Sequence, residues 1–413
     1  MKRTSCYNEN AMKRSTVPKQ NGSTRDTPNY VKKKDLNREP IWKGQGPLLS
    51  HLDIELTERC DNDCLHCCIN LPEGDAKAKK NELGTQQWKD ILKQAAELGA
   101  LTVRFTGGEP LLREDFEELY VFARRSGLKV ILFTNARGIT PRLAALFVKV
   151  APLEKIEVTV YGMRRKSYEA VSRKPGSYEE FRSGIDLLLE NRIPFVVKGA
   201  FLPANKKEIA EFESWAATIP WMKRPPTYAM LFDLRGRCDS PARNRLIESL
   251  RPTPAEAVRV LRRHREAYRQ EMKQFCRKFI GPPGKKLFDC GAGQAGCVDA
   301  YGNFQPCLLL RAPELAYDLK KGTLYDALNR VFPELRKTTA VNRLYLERCS
   351  RCFLKGLCEQ CPAKSWGEHG TLDAPVKYFC EIAHAQAMDL GLLAEGERGW
   401  EVSAWRARVA KMK

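Results

Sequence analysis

The sequence predicts an α/β protein, a parallel sheet wound by helices, followed by a cysteine-rich region of different character. Three observations predict it. Between residues 51 and 233, six short apolar runs alternate with amphipathic helical stretches. The runs are mostly apolar throughout, as strands covered on both faces are. Beyond about residue 284 this rhythm gives way to short segments rich in Gly, Pro and Cys. Two architectures satisfy the alternation: a doubly wound open sheet, and a barrel or partial barrel. Both bind ligands at the C-terminal ends of their strands.

The elements follow in order. "HLDIELT" (51–57) reads as the first strand. A helix over 85–99 has Thr85 as N-cap and Gly99 as its stop. Strands are predicted at 101–106, 129–135, 155–161, 194–201 and 227–233. Helices are predicted at 114–127, 140–150, 177–191 and 205–217. In the basic stretch 254–278, Val258, Leu261 and Tyr268 lie near helical spacing, which reads as a linker helix. The chain thus divides into a basic, disordered tail (1–48), the α/β unit (49–240), a linker (241–283), the cysteine-rich unit (284–385) and a helical tail (386–413).

The bulk properties narrow the class. The chain has 413 residues, 43% of them hydrophobic, and a net charge of +20. No apolar run reaches the ~18 residues of a membrane span. The N-terminus has no apolar core of a secretory signal, so the expected location is cytoplasmic. There are fifteen cysteines, most of them in two groups, 60–68 and 290–380. In a reducing compartment clustered cysteines point to metal rather than disulfides. The positive charge would suit anionic partners. No interleaved aromatic and basic platform points to nucleic acid.

Cys60, Cys64 and Cys67 are spaced C-x3-C-x2-C on the loop leaving the first strand. Structural zinc needs a fourth protein ligand. A four-iron cluster held by three cysteines keeps one iron open. Cys68 follows Cys67 directly, and adjacent side chains rarely reach one small site, so it reads as a packed thiol. The second strand ends in "TGGEP" (106–110). Its glycines let the backbone approach a ligand, and Glu109 offers a carboxylate to a cation.

Together these motifs resemble the radical S-adenosylmethionine (radical SAM) enzymes, over roughly residues 50–235. The resemblance implies a partial (β/α)6 TIM-like barrel. It implies that Cys60, Cys64 and Cys67 hold a 4Fe-4S cluster whose open iron takes the amino and carboxylate groups of S-adenosylmethionine. Gly107, Gly108 and Glu109 match the strip that holds the methionine amino group. His66 fills a position near the adenine, and Thr159 one that lines the cofactor site. In "VSRKPGSY" (171–178), Ser172 stands where many relatives carry a carboxylate-binding Arg, with Arg173 beside it.

The second group comprises Cys290, Cys297, Cys307, Cys349, Cys352, Cys358, Cys361 and Cys380. Only five residues separate Cys352 from Cys358, against about twelve to twenty between the pairs of a zinc ribbon. Eight cysteines equal two full sets of four. With Gly302, their spacing resembles the SPASM extension of radical enzymes that mature peptides and proteins. Cys361 comes one residue early for that pattern. By this resemblance Cys290, Cys297, Cys307 and Cys361 hold one auxiliary 4Fe-4S cluster. Cys349, Cys352, Cys358 and Cys380 hold a second, and neither has an open iron.

The chemistry implied is reductive cleavage of S-adenosylmethionine to a 5′-deoxyadenosyl radical that abstracts hydrogen from substrate. The expected substrate is a ribosomal peptide or protein side chain; the runner-up is a small cofactor precursor such as a tetrapyrrole. A non-catalytic metal protein that binds nucleic acid is the distant alternative. A flavodoxin or ferredoxin is the expected reductant. Asp233, Tyr228 and Lys198 stand at strand ends, and the sequence assigns none of them an acid–base role.

Overall fold

The computed structural model describes residues 49–412. The predicted disordered tail, 1–48, lies outside the described residues, as does Cys6. Six parallel strands lie side by side in chain order: His51–Thr57, Thr102–Gly107, Lys129–Thr134, Leu153–Val160, Phe195–Ala200 and Tyr228–Ala229. A doubly wound sheet reverses its strand order at a switch point. This one does not, so the partial barrel is the fold. Helices Thr85–Glu97, Phe116–Arg125, Pro141–Lys149, Ser177–Glu190 and Ile209–Ala216 alternate with the strands. Their apolar faces, including Trp88, Leu119, Phe147 and Ile185, share one core with Leu52, Ile54, Val103 and Val158 of the strands.

The predicted helix at 85–99 starts one residue earlier than its signal. Gly84 is the N-cap, and its N–H donates to Gln87 Oε1 at 2.9 Å. The Thr85 hydroxyl instead donates to Asp115 at 2.7 Å, tying two helices together. Gly99 is left-handed, with φ +97°, which fits its role as a stop. The sixth strand shrinks from the predicted 227–233 to Tyr228–Ala229. Pro225 and Pro226 precede it without amide donors, and Met230 to Asp233 leave the ladder to line a cavity. The single linker helix is two helices, Pro254–Leu261 and Arg265–Phe279. Thr253 caps the first of them by accepting from the Glu256 N–H at 3.3 Å. Helices Ala76–Asn81, Arg165–Ser172 and Pro241–Leu250 had no prediction.

The sheet also runs on into the cysteine-rich region. Gly296–Val298 pairs parallel with the free edge of the first strand, matching Asp53 to Cys297 and Ile54 to Val298. Asn303–Gln305 and Tyr317–Asp318 follow antiparallel, giving nine strands. An edge that would expose unpaired backbone is thereby covered. Val298 and Phe304 join the barrel core. The rest of the region packs as smaller clusters, one around Phe288, Leu310 and Tyr345 and one around Phe353, Leu354 and Leu392.

Candidate active site and cysteine centres

The first strand delivers the chain into the loop 58–70, which carries Cys60, Cys64 and Cys67. Side chains from distant strand ends tie this loop down. Asn135 Nδ2 donates to Asp61 at 2.7 Å, and Arg137 donates to the Asp61 carbonyl and to Asn62 Oδ1, each at 2.8 Å. The Asp63 N–H reaches the Ser172 carbonyl at 2.8 Å. Arg235 donates to the Asn70 carbonyl at 3.3 Å. The Asn62 N–H points at Cys60 Sγ at 3.4 Å. Arg173 turns to Asp63 at 3.4 Å and does not line the cavity.

The glycine strip packs against the same loop. The Gly108 N–H donates to the Thr57 carbonyl at 2.7 Å, and the Glu109 N–H to the Arg59 carbonyl at 2.9 Å. A Cβ on Gly107 would stand 2.1 Å from Thr57 O, and one on Gly108 would stand 2.1 Å from Arg59 O. Only glycine permits this contact. Glu109 is buried, and its carboxylate accepts from Thr134 Oγ1 (2.8 Å), the Asn135 N–H (2.8 Å) and the Leu111 N–H (3.2 Å). Burial, and then Asp61, push its pKa up to about 8 against those hydrogen bonds.

These residues face a cavity of about 620 Å³ at the C-terminal ends of the strands. Cys60, His66, Cys67, Gly107, Gly108, Glu109 and Thr159 all line it. Cys64 is buried and does not line it. Linker residues Leu261, Met272 and Phe275 and C-terminal residues Leu357, Ile382 and Gln386 close the far side. His66 stacks obliquely on Phe232 (4.9 Å between ring centres) and Tyr161 (5.9 Å). Its Nδ1 is buried without a partner, and burial lowers its pKa to about 4. Burial drives the Cys60 and Cys64 thiols well above their usual range. A bound metal reverses that cost by taking the thiolate. Enclosed thiols, an unpartnered imidazole nitrogen and a glycine-only wall all fit a thiolate-held cluster with a polar cofactor beside it.

The second cysteine group divides in space. The thiol charges acting on Cys307 come from Cys361 and Cys290. Those on Cys349 come from Cys358 and Cys380, and those on Cys352 from Cys358, Cys380 and Cys349. Burial raises Cys307 and Cys380 to about 11 and Cys349 and Cys352 to about 12, and it raises Cys358 and Cys361 as well. Cys297 sits on the hairpin, fully buried, and its charged neighbours are Glu55, Arg311, Asp53 and Asp299. Among the described residues no three His, Cys, Asp or Glu converge as tightly as a single ion requires. Thiolates on different irons of a cluster stand wider apart than the ligands of one zinc.

Sequence reading missed the joint between the two groups. Arg311, four residues past Cys307, forks onto buried Glu55, with Nη1 donating to Oε2 at 2.7 Å. Glu58, two residues before Cys60, pairs with Arg237 and accepts from Tyr301 Oη at 2.8 Å. In "HLDIELT" Glu55 shares the polar alternation of His51, Asp53 and Thr57, so no local signal set it apart from a solvated strand face. Asp233 was also left unassigned. It lines the cavity with Lys364 Nζ 3.0 Å from Oδ1, yet that oxygen is buried without a hydrogen-bond partner.

Comparison with known proteins agrees with this geometry. Residues 54–216 match the model of the Radical SAM superfamily. The AdoMet-dependent heme synthase of Methanosarcina barkeri is 24% identical over 346 residues, 76% of this chain and 92% of that protein. Native anSMEcpe with bound AdoMet superposes with a TM-score of 0.58 at 13% identity, covering 88% of this chain and all of that one. Its complex with AdoMet and the Cp18Cys peptide superposes with a TM-score of 0.55, also at 13% identity, over 82% and 96% of the two chains. The fold and the site are thus those of a radical SAM enzyme, the family whose model residues 54–216 match. The likeness of fold, over 88% of this chain, extends past the barrel into the C-terminal cysteine-rich region. Among the described residues no helix is long and apolar enough to cross a membrane.

Proposed function

We propose that this radical SAM enzyme modifies a side chain of a ribosomal peptide or protein. Residues 49–240 form the catalytic unit and 284–385 the auxiliary-cluster unit, joined by 241–283. Cys60, Cys64 and Cys67 hold the cluster. Gly107, Gly108 and Glu109 receive the methionine end of S-adenosylmethionine. His66, backed by Phe232, covers the adenine, and Thr159 completes the wall. Bound there, the cluster would supply the electron that splits S-adenosylmethionine into methionine and a 5′-deoxyadenosyl radical. The chain's own part is orientation and exclusion of water. Cys290, Cys297, Cys307 and Cys361, and Cys349, Cys352, Cys358 and Cys380, are the ligand sets of two auxiliary clusters.

One observation carries the choice of substrate. Among the described residues Lys198 is the single Lys or Arg on the cavity wall, and it is committed to Glu157 at 2.8 Å, with its ammonium 3.8 Å from the Phe133 ring centre. Glu109, Asp233 and Glu359 supply carboxylates. A tetrapyrrole carries several carboxylates and calls for several guanidinium or ammonium partners. A peptide side chain does not. The tetrapyrrole reading keeps one observation in its favour, the likeness to a heme synthase along most of that protein.

The test is anaerobic. Reconstituted enzyme with dithionite and S-adenosylmethionine should yield 5′-deoxyadenosine. Short peptides encoded beside the gene should raise that yield and change in mass, and haem precursors should not. Stimulation by the precursor alone transfers the assignment to the tetrapyrrole. A colourless protein containing zinc but neither iron nor sulfide overturns both readings.

A further inference from the structure

Helix Lys377–Asp389 carries Cys380 and, one turn on, His384, whose ring is buried. Both ring nitrogens are engaged. The Gly399 N–H donates to Nε2 at 3.1 Å, so Nε2 must offer a lone pair. The imidazole is therefore neutral, with its proton on Nδ1. That N–H donates to the Cys380 carbonyl at 2.8 Å and stands 3.6 Å from Cys380 Sγ. Because the nitrogen carries the proton, the sulfur is the accepting side of this contact. A thiolate accepts more strongly than a thiol.

Gly399 fixes that tautomer and also meets a second cysteine. A Cβ at this position would stand 2.7 Å from Cys352 Sγ and 2.8 Å from the Leu354 side chain. Its carbonyl accepts the Phe353 N–H at 3.2 Å. Trp400 lies edge-on to the His384 ring, 5.4 Å between ring centres, and the Arg348 guanidinium covers the indole at 5.4 Å. The C-terminal tail thus clasps Cys352 by contact and Cys380 through the imidazole. These cysteines belong to a group at the edge of the active-site cavity. Leu357 and Glu359 flank Cys358, Ile382 follows Cys380 by two residues, and all three line the cavity.

We propose that His384, oriented by Gly399, raises the reduction potential of the auxiliary cluster held by Cys349, Cys352, Cys358 and Cys380. The inference rests on the auxiliary-cluster reading above and is independent of the substrate. Hydrogen bonds to cluster sulfurs are among the levers that set such potentials. An added electron makes the thiolates more negative, so the Nδ1–H contact stabilises the reduced state more than the oxidised one. His384 does not line the cavity and acts through Cys380, which makes it a positioning residue. Its effect is a centre at the cavity's edge that accepts an electron more readily.

The test follows one electron paramagnetic resonance signal of the reconstituted full chain, the one that Cys352→Ser abolishes. His384→Phe should shift its reduction equilibrium about tenfold toward the oxidised form, ~59 mV for one electron. His384→Asn keeps an N–H donor on the Nδ1 side and should recover most of that shift. In wild-type protein grown with histidine carrying the heavy nitrogen isotope, pulsed measurement of the same signal should show a weak nitrogen coupling. An unchanged potential in His384→Phe overturns the proposal, and so does an equal shift in the two variants. If His384→Phe takes up no cluster there, the wild-type coupling decides: present, it upholds the contact; absent, it overturns the proposal. Wild-type protein holding about four iron atoms instead of about twelve removes the auxiliary clusters themselves, and this role falls with them.

Discussion

In the loop 58–70, backbone and side chains are tied by groups far away in sequence: Asn135, Arg137, Ser172, Arg235 and Arg243. Around Cys349 to Cys361 most bonds are local, such as the Cys352 N–H to the Cys349 carbonyl at 3.2 Å and the Cys358 N–H to the Leu354 carbonyl at 2.9 Å. Cys349 opens a short 3-10 turn, Cys352 joins it to the next, and Cys361 is the N-cap of a helix. The first loop is thus shaped by the barrel. The second arrangement has little regular core, and metal would supply what packing does not. The first loop is held by contacts from across the barrel; the order of the second would depend on the auxiliary clusters proposed for it.

The sharpest break between them comes from paired cysteine variants. Cys64→Ala should reduce dithionite-driven 5′-deoxyadenosine to background and remove about four iron atoms, leaving circular dichroism unchanged. Cys352→Ser should also remove about four. It should still form 5′-deoxyadenosine, but lose hydrogen-exchange protection across 284–385 while strands 51–200 keep theirs. Equal loss of protection in both variants would contradict the contrast.

The joint is the next target. Arg311→Met leaves Glu55 buried and unpaired, a change worth about 3–5 kcal/mol in urea unfolding. Adding Glu55→Met should restore most of that loss. Gly108→Ala tests the preformed loop directly: its methyl meets the Arg59 carbonyl. A cost of about 1–3 kcal/mol there, if it falls wholly on binding, corresponds to roughly 5- to 150-fold weaker binding of S-adenosylmethionine by calorimetry, with iron content otherwise retained.

The smallest effect concerns the C-terminal tail. Arg408 holds Glu397 at a pKa of about 2, below the ordinary carboxylate range. A depressed carboxylate contributes stability above its unfolded pKa, near 4.5, and loses it as pH falls toward 2. Glu397→Gln should therefore flatten that part of the acid limb in thermal melts and leave pH 7 activity alone.

Much of the barrel was legible because a strand covered on both faces writes an apolar run and a surface helix writes a stripe. Cys60, Cys64, Cys67 and the Gly107–Gly108–Glu109 strip were legible because their chemistry is compressed into short spacings. The sixth strand was overread, since "TYAMLFD" is as apolar as a strand but spends Met230 to Asp233 on the cavity wall. Apolar composition reports burial, and a cavity wall is buried as a strand is.

By itself the sequence determined the six-fold alternation, the three-cysteine loop, the glycine strip and the eight distant cysteines. These depend on local spacing and on which residues a backbone or a metal tolerates. Tertiary structure alone decided that the strands run in sequential order, that Gly296–Val298 extends the barrel sheet, and that Arg311 finds Glu55 across 256 residues. Such contacts join elements with no periodic relation in the chain, so packing settles them and no local pattern records them.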